Sequence, residues 1–261
     1  MRQLPQELIN LIISYLDEDW QSLTACTTVS RAFLDTARSY LHFWVQIEES
    51  NVRGAAECIT PDVAYHVREL YLESFHDNCS WLSEGSLARL LPQLPRLRKV
   101  RLNRCSWQSL SSDLRAEVIR TLQRPSVRHV QIYGIENLPL SLFYTFGGVK
   151  HLELASISLA SPWDLPASTT PHGPRVELES LNLAVVDGEL PTVNLSQQRK
   201  ALIRVIDLYL SPSSVVDVTH LRHVSLDIEL VKTVKRGLWR LLQACPATLK
   251  CLKLHAAMHG G

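Results

Sequence analysis

Net charge is almost absent from this chain: 27 lysines and arginines face 26 aspartates and glutamates, leaving +1. Such a balance speaks against a protein that holds a polyanion by bulk electrostatics, so no nucleic-acid partner is expected. No apolar run reaches the ~18 residues that span a bilayer, and no secretory leader is visible, so no membrane partner is expected either. Missing too are a G-x-S-x-G turn, a Gly-rich phosphate loop and any metal-ligand spacing. The six cysteines (Cys26, Cys58, Cys79, Cys105, Cys245 and Cys251) contain no C-x-x-C pair, which disfavours a zinc ribbon or a thioredoxin-type site. Reduced, mostly buried thiols and a cytoplasmic or nuclear location follow. These absences leave no catalytic residue, metal or cofactor to assign.

What is present is apolar material, 46% of the chain, enough for a continuous core. In LPQELINLIISYL, Leu4, Leu8, Ile12 and Leu16 recur four apart with Leu11 beside them, the spacing of a helix face. Pro5 suits a first helical turn, where its missing N–H costs nothing. Asp19 can cap a second helix through Leu23, Cys26 and Val29, and Ser30 a third through Phe33, Leu34, Ala37, Tyr40 and Leu41. Phe43, Val45 and Ile47 then alternate as a short extended exit would. Three helices in under 50 residues bury little surface, so such a unit leans on something else.

Residues 48–65 read as a linker or connecting helix, and beyond them a six-residue phrase recurs: apolar, charged, any, apolar, any, apolar. It appears as VRELYL, LRKVRL, VRHVQI, VKHLEL, LESLNL, IRVIDL, LRHVSL and LKCLKL, starting at Val67, Leu97, Val127, Val149, Leu178, Ile203, Leu221 and Leu249. Seven of the eight second slots are basic, which chance apolar spacing does not explain. Starts lie 18 to 30 residues apart, close to the period of leucine-rich repeats. From Leu97 the phrase runs on to Cys105 as LxxLxLxxC; elsewhere that last slot holds Phe75, Ile135, Ile157, Val186 or Ala257. Helices are expected between phrases. One is capped by Asp113; one runs from Asn137 to a terminating Gly147; one turns Leu230, Val234, Leu238, Leu241, Leu242 and Cys245 inward. Residues 160–174, rich in Pro, Ser and Thr, read as a surface excursion. The last phrase is followed by HAAMHGG, in which no polar terminal unit is legible.

The N-terminal segment resembles the F-box family. The resemblance is carried by Leu4-Pro5, Glu7-Leu8, Ile12, Leu16, Leu23, Val29-Ser30-Arg31, Phe33 and Trp44, and covers about residues 3–47. The remainder is similar to the leucine-rich-repeat class of F-box proteins. The implied fold is α/β: a three-helix F-box (1–47), a connecting segment (48–65), then a short leucine-rich-repeat-like solenoid with a parallel sheet (66–261). The implied role is non-enzymatic, the F-box binding a Skp-type adaptor, and through it a cullin, while the repeats recruit a protein target for ubiquitin transfer. Leu4, Pro5, Glu7, Leu8, Ile12, Leu16, Val29 and Trp44 are then the adaptor-binding candidates. The alternative is a repeat scaffold with a degenerate F-box that acts outside a ligase.

Strand side chains alternate, so the third, fifth and seventh slots of each phrase should leave the sheet on its open side. Tyrosine and arginine are frequent hot spots, which selects Tyr71, Arg101, Tyr133, Asp207 and Tyr209 as candidates to touch a target. His76-Asp77-Asn78-Cys79 imitates a catalytic cluster, but sequence neighbours rarely form a working triad. The strand histidines His129, His151, His223 and His255 share their column with Glu69, Lys99 and Ser180, which is not a metal-ligand set.

Overall fold

Apolar periodicity sorts the chain into a helical N-terminus and a repeating strand-and-helix remainder in the computed structural model, which describes residues 4–74, 80–83, 85–160, 175–185, 194–212 and 214–255. Phe75, Val186, Ala257, the His76–Cys79 cluster and residues 161–174 of the proposed excursion lie outside them.

Three helices come first: α1 (Gln6–Ser14), α2 (Trp20–Val29) and α3 (Arg31–Leu41). The Asp19 side chain caps α2 by accepting the Ser22 N–H, whereas Ser30 sits at the α3 cap position without a side-chain bond. Ile9, Ile13, Leu23, Ala37 and Leu41 form a small core of their own, with Leu16, Cys26, Phe33 and Tyr40 against it.

The sheet begins at once with β1 (Trp44–Ile47), within the 1–47 span. Helices α4 (Val52–Cys58) and α5 (Pro61–Ala64) lead to β2 (Glu69–Glu73), and α6 (Gly85–Leu90) to β3 (Lys99–Ser106). After α7 (Ser112–Leu122) come β4 (His129–Glu136), β5 (His151–Ala155), β6 (Val176–Glu177) and β7 (Ser180–Ala184). The chain closes with α8 (Leu195–Tyr209), β8 (Val216–Asp217), β9 (His223–Asp227), α9 (Ile228–Ala244) and β10 (Cys251–His255). Eight strands make one parallel sheet in the order β1-β2-β3-β4-β5-β7-β9-β10, with β6 and β8 paired separately. Leu70, Val100, Val130, Leu152, Leu181 and Val224 are direct register partners, as the phrase requires.

The second slot has a backbone role the sequence does not announce. The Arg68 carbonyl accepts N–H groups from both Arg98 and Lys99, and the Arg98 carbonyl serves Arg128 and His129 in the same way. Arg128, Lys150, Glu179 and Arg222 repeat the pattern, so each unit hangs its strand on the residue that opens the previous strand. The last slot also acquires a cause. Arg104, Gly134 and Ser156 occupy equivalent positions with φ of 53°, 59° and 51°. A left-handed residue resets the alternation, so Cys105, Ile135 and Ile157 turn inward and are buried.

One phrase is not a strand. IRVIDL lies inside α8, which starts with a capping box: the Asn194 side chain accepts the Gln197 N–H while Gln197 reaches back to the Asn194 N–H. Ala201, Leu202, Val205, Ile206, Leu208 and Tyr209 are buried along it, so the apolar slots serve a helix embedded in the core. Smaller corrections follow the same logic. Ser111, not Asp113, caps α7. The stretch after Asn137 makes only a short 3-10 turn, Leu140–Tyr144, and Gly147 terminates no helix of its own. In α9, Leu238 and Leu241 are buried and Leu242 packs on the core, as Cys245 does just beyond its end, while the side chains of Leu230 and Val234 lie outside the description.

Candidate functional site

Two surfaces carry unspent chemistry. The first is the outer side of α1. At about 100° per residue, Ile9, Ile13 and Leu16 fall on one arc and Leu4, Leu8, Leu11, Ile12 and Tyr15 on the neighbouring one. The first arc faces the helical core; the second is open, with Leu8 46%, Leu11 50%, Ile12 44% and Tyr15 80% exposed. Helix α1 is thus apolar on two adjacent sides, only one of which the other described residues cover. Leu4, Pro5, Glu7 and Val29 are exposed as well.

Leu16 departs from this set. A row of residues four apart drifts by about 40° per step, which carries Leu16 from the outward arc into the bundle. Trp44 departs too, since it belongs to β1. Its ring meets Trp20 edge-on at 6.4 Å and Tyr71 at 6.0 Å, joining the helical unit to the sheet face. Trp20 escaped the sequence reading because it precedes the α2 stripe; its position directly after the capping aspartate was the available signal.

The second surface is the open face of the sheet. Tyr71, Arg101, Gln131, Glu153, Asn182 and Ser225 form one transverse row, with Glu69, Lys99, His129, His151, Ser180 and His223 in the row before it. Lys99 lies 3.3 Å from Glu69 and donates to the Tyr71 hydroxyl at 3.1 Å, while Tyr71 donates to Glu69. Glu73 accepts from Asn103 and, at 3.2 Å, from Gln46. Glu153 is held from both sides, by the Tyr133 hydroxyl and by His129 Nε2 at 3.0 Å. The His129 and His151 rings lie 5.2 Å apart, and burial followed by that neighbour lowers the His151 pKa. Among the described residues no group of three or more His, Cys, Asp or Glu side chains could hold a metal ion.

Arg101 differs from these paired groups. Its guanidinium lies 5.0 Å from the Tyr133 ring centre and 5.9 Å from that of Tyr71. Its Nε is buried with no hydrogen-bond partner among the described residues.

Two sequence candidates are not here. Asp207 and Tyr209 belong to α8. Asp207 is exposed 3.7 Å from Arg240, and Tyr209 is buried against Phe143, where burial alone pushes its hydroxyl pKa well up. Neither reaches the face with Tyr71, Arg101 and Tyr133.

Hydrogen bonds from His129, first, and then Tyr133 and Gln131 hold the Glu153 carboxyl at about 2, against an ordinary value of 4.5. A folded-state value below the unfolded one gives stability that is present above pH ~4.5 and lost as the pH falls toward ~2. Denaturation midpoints measured from pH 6 to pH 2 are expected to fall across that window, and Glu153→Gln to flatten the fall. An unchanged acid limb in Glu153→Gln would show that the carboxylate is not held this way.

No helix among the described residues is long and apolar enough to cross a membrane. No protein-family model matches the chain, and no curated protein matches it.

Proposed function

We propose that this chain is the target-recruiting subunit of a Skp–cullin–F-box ubiquitin ligase, working in the cytoplasm or nucleus. Its helical unit takes a Skp-type adaptor, and through it a cullin, while its leucine-rich-repeat-like sheet holds a protein target. The observation that supports this most is the second apolar side of α1. A contiguous exposed apolar patch on a soluble protein marks a binding site, and a small helical unit gains stability by docking it. The chain then does no bond chemistry; it places a target near a transfer enzyme. Co-purification of the full chain with a Skp-type adaptor and cullin tests the reading. A one-to-one complex is expected. A folded chain that leaves the adaptor in the flow-through would instead favour the scaffold role.

A further inference from the structure

Every carboxylate among the described residues on the open face near Arg101 already has partners. Glu69 is matched by Lys99 and Tyr71, Glu73 by Asn103 and Gln46, Glu153 by His129 and Tyr133. Arg101 stands among them with two tyrosine rings and no acceptor among the described residues, its Nε covered. A guanidinium stays protonated, so the folded chain keeps an oriented cation whose donors are unused. It is flanked by an unbroken aromatic line, Tyr71 to Trp44 to Trp20, which ends on α2 with Trp44 43% and Trp20 49% exposed.

Resting on the reading of this face as the target seat, we infer that it receives a peptide segment of the target. An aspartate or glutamate side chain of that segment pairs with Arg101, and an apolar side chain packs on Trp44 and Trp20. Charge decides for a carboxylate over a phosphate. Lys99 is committed to Glu69, so a dianion at Arg101 would lie beside Glu69, Glu73 and Glu153 with Arg101 itself as the cation opposite it. A monoanion matches the single planar fork. Geometry sets the spacing. Arg101 and Trp44 are two strands and one pleat repeat apart, roughly 12 Å at ~4.8 Å per strand and ~3.3 Å per residue. Three or four residues of extended chain cover that distance. On this reading Trp44, and Trp20 with it, belong to the target seat rather than the adaptor surface.

The test displays random dodecapeptides to the immobilised full-length chain. Enriched peptides are then titrated, as synthetic fluorescein conjugates, against wild type, Arg101→Gln, Arg101→Lys, Trp44→Ala and Trp20→Ala. Thermal melting of each variant checks its fold. Enrichment of Asp or Glu three or four positions from Trp, Phe or Leu is expected. Arg101→Gln should weaken binding about tenfold or more, the scale of one charged hydrogen bond, and Arg101→Lys should recover part of it. Trp20→Ala should weaken the same peptides without changing the preference for an acid. No enrichment, enrichment without an acidic position, or equal binding by Arg101→Gln would each overturn the inference. So would tighter binding when phosphoserine replaces the acidic residue. Adaptor binding is measured in parallel. Loss of peptide selection with the adaptor still bound removes this seat alone, and an acid-selective face on a chain that ignores the adaptor removes the ligase reading alone.

Discussion

On the proposed ligase reading, a chain carrying Leu8→Ala together with Ile12→Ala is expected to keep its three N-terminal helices and release a Skp-type adaptor. Both side chains are nearly half exposed, 46% and 44%, so truncating them removes little that the fold uses. Exposed substitutions of this kind usually change stability by about 0.5 kcal/mol or less. At a docked interface the same atoms are buried, and each hot-spot leucine or isoleucine is worth ~2 kcal/mol, so the pair should weaken binding roughly a thousandfold. The control lies one residue further along the helix. Ile13 is fully buried in the small helical core, and Ile13→Ala should cost ~2–5 kcal/mol and melt the unit. Both variants then lose the adaptor, but only Ile13→Ala loses helicity. Calorimetric titration with the adaptor, beside circular dichroism melts, separates the two. A folded double variant that binds as wild type would place the docking surface elsewhere.

The two apolar rows of α1 differ in how legible they are in the sequence. The row Leu4, Leu8, Ile12, Leu16 was visible because apolar residues four apart stay near one face. The adjacent row Ile9 and Ile13, which builds the core, was masked by it. Two apolar rows side by side give no polar boundary from which to read which one faces inward. Strand register was more legible, since partners such as Leu70, Val100 and Val130 share a slot, a charged neighbour and a period. The same apolar slots misled at Ile203. Helix α8 is buried on several sides, so a strand pattern fits inside it by accident; Asn194 and Gln197, three residues apart, were the discriminating signal. Arg101 was selected as a residue type frequent at interfaces. Its lack of an acceptor among the described residues depends on partners supplied by neighbouring strands, and no single segment contains that information.

The heaviest loss from one added methyl group is expected at Gly147. The interval from Val127 to Val149 is among the shortest in the repeat, 22 residues, and it holds a 3-10 turn where other units carry a longer helix. With so little chain, the return to β5 must run against the end of α7. The Gly147 N–H donates to the Leu122 carbonyl at 3.0 Å, satisfying one of the helix's terminal acceptors. A Cβ built there would stand 1.8 Å from the Gln123 carbonyl oxygen and 2.5 Å from its carbon, and one on Gly148 2.5 Å from the Pro125 oxygen. These are backbone atoms, which cannot swing aside as a side chain would. Gly147→Ala must therefore push α7 and β5 apart, straining the sheet beside Tyr133 and Glu153. Overpacking costs ~1–3 kcal/mol when side chains can adjust; here the cost should reach or pass the upper end, lowering the melting temperature by roughly 10 °C. Gly54 in α4 supplies the opposite sign. A Cβ there meets nothing within 4 Å, so Gly54→Ala should stabilise by ~0.5–1 kcal/mol through helix propensity alone. Thermal melts of the two variants, side by side, decide the matter: a Gly147→Ala chain that melts with wild type would mean the unit after β4 does not return along α7.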